Sequence, residues 1–261
     1  MELTEKQSQL ESILSGMGSV LVAYSGGIDS ALVAYFAHRL LGDRMLALTA
    51  RSPSLAESEL KHAIEFARIH GIPHRVIDTR EVEDPRYAAN PANRCFFCKD
   101  ELYSRITDLR KELPFSFVAD GSHTEDDIGD RPGMRAALNH GVRSPLREAG
   151  LTKAEIRDLA RNLGLEIWDK PSSPCLSSRV PHGIAITPEK LRQIDRAEQV
   201  LRNLGFRVFR VRHHDELARI EVSREELPRL LDACLFDQVA SQLKDIGYKH
   251  VTLDMRGCGS K

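Results

Sequence analysis

The sequence predicts a doubly wound parallel α/β sheet with a smaller α+β domain behind it. Three observations predict it: short apolar runs alternate with helical patterns through the first half, the rhythm changes after Pro181, and a Pro- and Ser-rich bridge, Lys170–Pro174, lies between the two regimes. The domains are therefore read as residues 1–180 and 181–261. In the first, Ser19–Tyr24 and Met45–Thr49 are continuous apolar runs of the kind buried on both faces of a parallel sheet, with Arg75–Ile77 and Phe115–Ala119 as shorter candidates. Helical patterns separate them at Asp29–Leu41, Leu55–His70 and Cys98–Leu113. A further helix, Lys153–Leu163, opens on Thr152 with Glu155 three places on and stops at Gly164.

Beyond the bridge, Thr187-Pro188 opens a helix whose apolar side carries Leu191, Ile194, Leu201 and Leu204. Arg207–His213 and Leu217–Val222 read as a hairpin around His214, Asp215 and Glu216. Ser223 with Glu226 signals another helix start, Phe236–Ile246 a second helix, and His250–Met255 a last strand. That order describes a small α+β domain.

Composition narrows the function. The chain has 261 residues, 41% hydrophobic and 29% charged, with 37 basic against 38 acidic side chains. This is globular composition, and it lacks the basic excess of a dedicated nucleic-acid binder. The first ten residues show no apolar stretch behind a basic one, and no apolar run approaches the roughly 20 residues that cross a bilayer. The expectation is a soluble, cytoplasmic chain with no membrane partner. Five cysteines, an odd and unevenly spaced set, do not read as a disulfide framework.

The strongest local signal is Ser25-Gly26-Gly27-Ile28-Asp29-Ser30, set between an apolar strand and a helix. Two glycines let the backbone turn tightly, while successive amides and the helix N-terminus point at an anion, as a polyphosphate requires. Ser25 and Ser30 add hydroxyls, and Asp29 is suited to cap the helix or to help hold Mg²⁺. No Gly-Lys-Ser/Thr follows, so this is not a Walker A loop. Asp120–Asp127 (DGSHTEDD) follows another apolar strand. There Gly121 allows close backbone approach to a nucleotide and Asp127 belongs to an acidic cluster able to reach Mg²⁺, although a solvated acidic loop fits the same residues.

Cys95 and Cys98 form a C-x-x-C pair, which suits a redox couple, half of a zinc site, or two ligands of an iron–sulfur cluster. Lys99 in place of His argues against haem attachment, and no second pair completes a zinc site. Cys175, inside Lys170–Arg179, supplies a third thiol. Three cysteines around one pocket would hold three irons of a [4Fe–4S] cluster and leave the fourth open. Cys234 reads as a buried, inert thiol and Cys258 as an unremarkable one in a Gly-rich tail. Arg94, Lys99, Lys170 and Arg179 lie close in sequence to the three thiols and would favour their anionic forms, with at least one of the four expected to be ordinary surface charge.

The loop at 25–30 resembles the PP-loop of ATP pyrophosphatases. With DGSHTEDD and the following RPGM, KPSSPCLSSR, RVRHHDELARIEV and TLDMRG, nearly the whole chain resembles the LarE-type ATP-dependent sulfur transferases of nickel-pincer nucleotide cofactor synthesis. The resemblance implies ATP and Mg²⁺ as cofactors, adenylation of a carboxylate on a small anionic pyridinium mononucleotide, and its conversion to a thiocarboxylate. It implies ATP contacts at Ser25, Gly26, Gly27, Asp29, Ser30, Gly121 and Asp127, and a central role for Cys175. In one branch of the family the matching cysteine surrenders its own sulfur; in another, three cysteines hold a cluster. Cys95 and Cys98 beside Cys175 resemble the cluster branch. The family also implies a homo-oligomer; the sulfur donor is not legible.

Period two places Arg210 and Arg212 on one face of their strand and Arg219 with Glu221 on one face of the next. Such a face suits solvent, an anion or another subunit, and the resemblance favours the substrate's phosphate, with Arg179 as a further contact. Three other functions share parts of this pattern. A PP-loop tRNA thiolase needs a large basic surface that residues 183–261 lack, so a nucleic-acid partner is not expected. An amide-forming ligase leaves the cysteines unexplained. A non-catalytic ATP-binding redox sensor predicts nucleotide binding without pyrophosphate release.

Overall fold

The computed structural model describes residues 2–126 and 132–258. Its contacts divide the chain into two units: residues up to Tyr87 together with Ala92–Ser172, and Ala88–Pro91 together with residues from Ser173 onward.

The first unit holds α1 (Leu3–Gly16), β1 (Val20–Ala23), α2 (Ile28–Leu41), β2 (Met45–Arg51), α3 (Glu57–Ile69) and β3 (His74–Asp78). After a single turn at the junction, α4 (Pro85–Ala88), come α5 (Arg94–Glu112), β4 (Phe117–Ala119), α6 (Pro132–Asn139), α7 (Pro145–Glu148) and α8 (Lys153–Asn162). The four strands form a parallel sheet in the order β3-β2-β1-β4. All four residues of β1 are buried because both its faces are covered. Val20 and Val22 pack with α1, α2 and α8, and Leu21 and Ala23 with α5 and α6. The doubly wound sheet expected from the sequence is present.

Strand order positions the site. The chain steps from β1 outward to β2 and β3, then returns to place β4 on the other side of β1. The loops leaving β1 and β4 therefore diverge at adjacent carboxyl ends, which opens a crevice at this switch point. Those loops are 25–30 and 120–126.

The second unit contains α9 (Pro188–Asn203), β5 (Phe209–His214), β6 (Leu217–Val222), α10 (Leu227–Leu230), α11 (Ala233–Asp245) and β7 (His250–Leu253). β5 and β6 are antiparallel, and β7 joins β6 in parallel. Leu201, Val211, Ile220, Val239, Leu243 and Tyr248 lie in its core. Asp215 turns the hairpin with φ +52°, a conformation Asp tolerates better than most residues. Asn90 brings its short segment into this unit by donating to the carbonyls of Val180, Pro181 and Ile184.

Three elements differ from the sequence reading. α1 was not anticipated, because its start is polar and mixed in charge. It is held by a Glu2/Glu5 capping box and by Leu10 and Leu14, both fully buried. α5 begins at Arg94 rather than at Cys98, so both cysteines lie inside the helix. The start at Ser223 yields only the one-turn α10, since Glu226 turns its carboxylate to the amides of Arg207 and Val208 and Asp232 caps a new helix at Leu235. No described helix is long and apolar enough to cross a membrane.

Candidate active site

The turn after β1 is shaped by steric necessity. Gly26 has φ +75°, and a Cβ on it would lie 2.8 Å from the Cβ of Ala63 on α3, so only glycine fits. Ser30 closes the loop from within: its hydroxyl accepts from the Ser25 amide at 3.0 Å and donates to the Gly27 carbonyl at 3.2 Å. Ser25 itself is exposed, with its hydroxyl 3.0 Å from that of Ser30. Gly27 is the N-cap of α2 and offers no side chain to the first-turn amides. A serine or aspartate oxygen often caps such a helix end, and the uncapped amides here are of the kind that suit an anion.

Asp29 does not cap the helix. Both its carboxylate oxygens accept from the ammonium of Lys153 at 2.6 Å. Lys153 opens α8, whose capping box is the predicted one: Thr152 accepts from the Glu155 amide, and Glu155 reaches back to Thr152. Nothing local singled out Lys153 except that a cation in a helix's first turn opposes the macrodipole. A second lysine, Lys170, donates to the Gly26 carbonyl at 3.0 Å and pairs with Glu59 of α3 at 2.7 Å. It therefore braces the loop.

The loop after β4 packs directly on this turn. A Cβ on Gly121 would sit 2.5 Å from the Ser30 amide nitrogen, so glycine is obligatory for the approach. Asp120, just before it, is buried and accepts four hydrogen bonds: from the Ser122 amide and hydroxyl, the Ser144 hydroxyl and the Tyr103 hydroxyl. Glu125 accepts from the Lys153 amide, which ties this loop to α8. Asp127, expected to reach a metal ion, lies outside the described residues.

Tyr103 links that network to the cysteine helix. Burial and the neighbouring Asp120 carboxylate push its hydroxyl well above the usual tyrosine range, so it stays a donor. Cys98 lies near enough to add to the effect. Cys95 and Cys98 are one turn apart on α5, the first exposed and the second half-buried. Gly133 of α6 lets Lys99 and the Cys95 carbonyl pack close, and Lys99 lies over the Tyr103 ring. In this unit the structure thus brings the 25–30 turn, the 120–126 loop and the start of α5 to one edge of the sheet.

In the second unit, Cys175 is half-buried at the N-cap of a short 3₁₀ turn, Leu176–Arg179. Arg179 is 3% exposed. Its fork is bidentate on Glu198, at 2.7 and 3.1 Å, and its remaining nitrogen donates to the carbonyls of Pro174 and Cys175 and to the Ser178 hydroxyl. Glu198 also accepts from the Val211 amide of β5. A glutamate on the apolar stripe between Ile194 and Leu201 was the readable sign of this pair, and the sequence reading passed over it.

Arg210 and Arg212 face Glu221 and Arg219 in register. Glu221 pairs with both Arg212 (2.9 Å) and Arg219 (3.2 Å), and Arg212 also donates to the Ser178 carbonyl. Cys258 lies in the field of Arg210, Arg212 and Arg179, although burial dominates and pushes its thiol up. Cys234, expected to be buried, is exposed near the start of α11. Of the four cations close in sequence to the thiols, Arg94 and Arg179 are buried and Lys99 and Lys170 half-buried.

Fit to a cluster can be judged on donor chemistry. Cys95 and Cys98 offer two soft sulfur donors from one helix turn in the first unit, while Cys175 belongs to the second. Among the described residues no group of three His, Cys, Asp or Glu side chains is gathered as a metal site.

Comparison with known proteins adds an independent line. The NAD synthase family model matches residues 5–107, less than half of the chain. A pyridinium-3,5-bisthiocarboxylic acid mononucleotide synthase of Lactiplantibacillus plantarum is 36% identical over 257 residues, covering 98% of this chain and 92% of that protein. An uncharacterised protein of Synechocystis is 42% identical over 255 residues, covering 98% and 95%. Another, from Methanocaldococcus jannaschii, is 28% identical over 236 residues, covering 90% and 89%.

Proposed function

The chain belongs to the family of pyridinium-3,5-bisthiocarboxylic acid mononucleotide synthases, and from that premise we propose that it is an ATP-dependent sulfurtransferase. Its substrate is pyridinium-3,5-biscarboxylic acid mononucleotide, a small anion. A carboxylate resists attack because oxide is a poor leaving group. The carboxylate oxygen attacks the α-phosphorus of ATP, pyrophosphate departs, and the resulting acyl-adenylate has AMP as a good leaving group. Sulfur then attacks the acyl carbon and AMP leaves; sulfide gives the thiocarboxylate directly, whereas the Cys175 thiolate gives a thioester, from which loss of the Cys175 α-proton and cleavage of its Cβ–Sγ bond release the thiocarboxylate and leave dehydroalanine.

The observation that carries this reading is the meeting of the 25–30 turn, the 120–126 loop and the Cys95–Cys98 turn of α5 at one edge of the sheet. Ser25, Gly26, Gly27 and Ser30 are the proposed phosphate contacts, with Gly121 closing the nucleotide side; Asp127 is proposed from the motif. Loop amides stabilise charge on the departing pyrophosphate. Bound Mg²⁺ would neutralise part of that charge, with Asp29 as its proposed ligand.

Cys175 is the proposed sulfur-handling nucleophile, and Arg210 and Arg212 the proposed contacts of the substrate phosphate, to which their planar forks are suited. Arg179, proposed from the motif as a substrate contact, is also the residue that holds the Cys175 carbonyl. A [4Fe–4S] cluster on Cys95, Cys98 and Cys175 is proposed on donor chemistry alone; when bound it would supply sulfide. A homo-oligomer is proposed from the resemblance.

The test is mass spectrometry of the mononucleotide after incubation with ATP and anaerobically purified protein, alongside iron and sulfide analysis. Exchange of oxygen for sulfur, lost in Cys175→Ala, is expected. Loss of iron and of sulfur transfer together in Cys95→Ala and Cys98→Ala supports the cluster. Full transfer in Cys95→Ala with dehydroalanine at position 175 assigns the sulfur to Cys175 itself. An amide product, or an unaltered mononucleotide, contradicts the reading.

A further inference from the structure

One helix, α5, touches both the thiol pair and the nucleotide loop of this unit. Its first turn carries Cys95, exposed, and Cys98, half-buried. Five residues on, its Tyr103 hydroxyl donates to Asp120 at 3.1 Å. We propose that Cys95 and Cys98 close as a disulfide in the metal-free chain, and that Tyr103 carries this change to the nucleotide loop, so that the thiol state sets the affinity for ATP. The inference rests on the nucleotide reading of the 25–30 turn and adds a control upon it.

Helix geometry forces a movement when the pair closes. Side chains three positions apart on a helix have Cβ atoms about 5–6 Å apart, whereas a disulfide holds them at about 3.5–4.5 Å. Closure therefore draws the first turn of α5 in by about 1–2 Å. That turn does not move alone. Gly133 of α6 lies against the Lys99 stem and the Cys95 carbonyl, and the Lys99 ammonium sits 5.5 Å from the centre of the Tyr103 ring. Asp100 and His140 meet at 2.9 Å, which holds α5 to the end of α6 just beyond the cysteines. A shift at Cys98 thus passes along a packed helix to Tyr103.

Tyr103 is the receiving end. Among the described residues, the other donors to the buried Asp120 are Ser122 and Ser144, so the bond from α5 is the Tyr103 one. A displacement of about 1 Å takes a 3.1 Å contact beyond hydrogen-bonding distance, and the buried carboxylate then loses one of its four donors. Gly121 follows Asp120 directly, and its backbone lies against the Ser30 amide of the phosphate turn. A loop loosened there holds ATP less well. The electrons balance with a small disulfide as oxidant, such as oxidised glutathione: one cysteine displaces the first half, the other cysteine then attacks the mixed disulfide, and two glutathione thiols leave. A closed pair offers a metal no thiolate, so weaker ATP binding keeps an unloaded chain from adenylating its substrate.

The experiment equilibrates the full, chelator-treated chain in glutathione buffers, maps disulfides by mass spectrometry of its peptides, and measures ATP affinity by titration calorimetry, with melting curves for every variant. A Cys95–Cys98 bridge is expected, with ATP bound about fivefold to tenfold more weakly than by the reduced chain, the scale of one hydrogen bond. Saturating ATP should shift the bridge's equilibrium with glutathione toward the dithiol by the same factor, because coupling between two sites is reciprocal. Tyr103→Phe should bind ATP equally in both thiol states, and Cys98→Ser should lose the response to glutathione. A merely structural Tyr103 would lower the affinity in both states and leave their ratio unchanged. That result overturns the proposal, as does a bridge to Cys175, the absence of any bridge, or a Cys95–Cys98 bridge that leaves ATP affinity untouched. If the reduced wild type binds no ATP, the nucleotide reading itself fails, whereas tight binding indifferent to the bridge removes the switch alone.

Discussion

The turn at 25–30 and the arginine hairpin of the second unit are both suited to anions, and they are built in opposite ways. The turn uses backbone amides of a contiguous segment, held in shape by Gly26, whose Cβ would collide with Ala63, and covered by Gly121 of the neighbouring loop, whose Cβ would collide with Ser30. The hairpin uses guanidinium groups that are largely spoken for, since Glu221 holds Arg212 and Arg219 and Asp254 lies 3.6 Å from Arg219. A backbone cradle is fixed once the chain folds. A side-chain cradle must first be neutralised by its own carboxylates and then give them up.

The largest expected effect separates these designs most sharply. Arg179 and Glu198 are each 3% exposed, so Arg179→Met leaves a buried carboxylate unpaired and should cost about 3–5 kcal/mol in urea unfolding. Replacing both by apolar residues should cost far less. Equal losses in the single and double variants would show that the pair is not the anchor of this segment. Next is Gly121→Ala, whose new methyl meets backbone and not a yielding side chain. About 1–3 kcal/mol of overpacking is expected, together with loss of ATP binding in calorimetry; retained affinity would mean the 120–126 loop is not part of the cradle.

Tyr103→Phe removes one of four hydrogen bonds from the buried Asp120. About 1 kcal/mol of stability is expected to be lost, and sulfur transfer should fall more than adenylation, because the missing bond is the one that ties α5 to the nucleotide loops. Equal losses would break that link. The smallest effect belongs to the second unit. Burial holds the His213 ring below the usual histidine range, with Lys190 and His214 adding to the shift and Asp215 opposing it. The unfolded chain therefore takes up the proton first. Stability should be full above about pH 6.5 and decline as the pH falls below that value. His213→Asn should flatten that slope in melting curves taken across the range.

The turn was legible because its chemistry is contiguous: six residues between a strand and a helix carry both the glycines and the hydroxyls. The strand rhythm was legible for the same reason, and β1 reads as unbroken Val-Leu-Val-Ala because both its faces are buried. Lys153 was not, because it is 124 positions from Asp29 and only the packing of α8 on α2 brings them together. Asp29 looked like a cap, yet a partner supplied by tertiary structure took its carboxylate away from the local amides. Glu198 could have been found as a charge on an apolar stripe. The thiols divide similarly: Cys95 and Cys98 are visible as a pair, whereas the exposure of Cys234 follows from how α11 lies on its sheet.

The central claim is that this chain activates a carboxylate by adenylation before sulfur arrives. Exchange of labelled pyrophosphate into ATP, measured with and without the biscarboxylate mononucleotide and with Cys175→Ala protein, tests it most directly. The account predicts exchange that depends on the mononucleotide and survives the loss of Cys175. Tight ATP binding with no exchange under any of these conditions would contradict it.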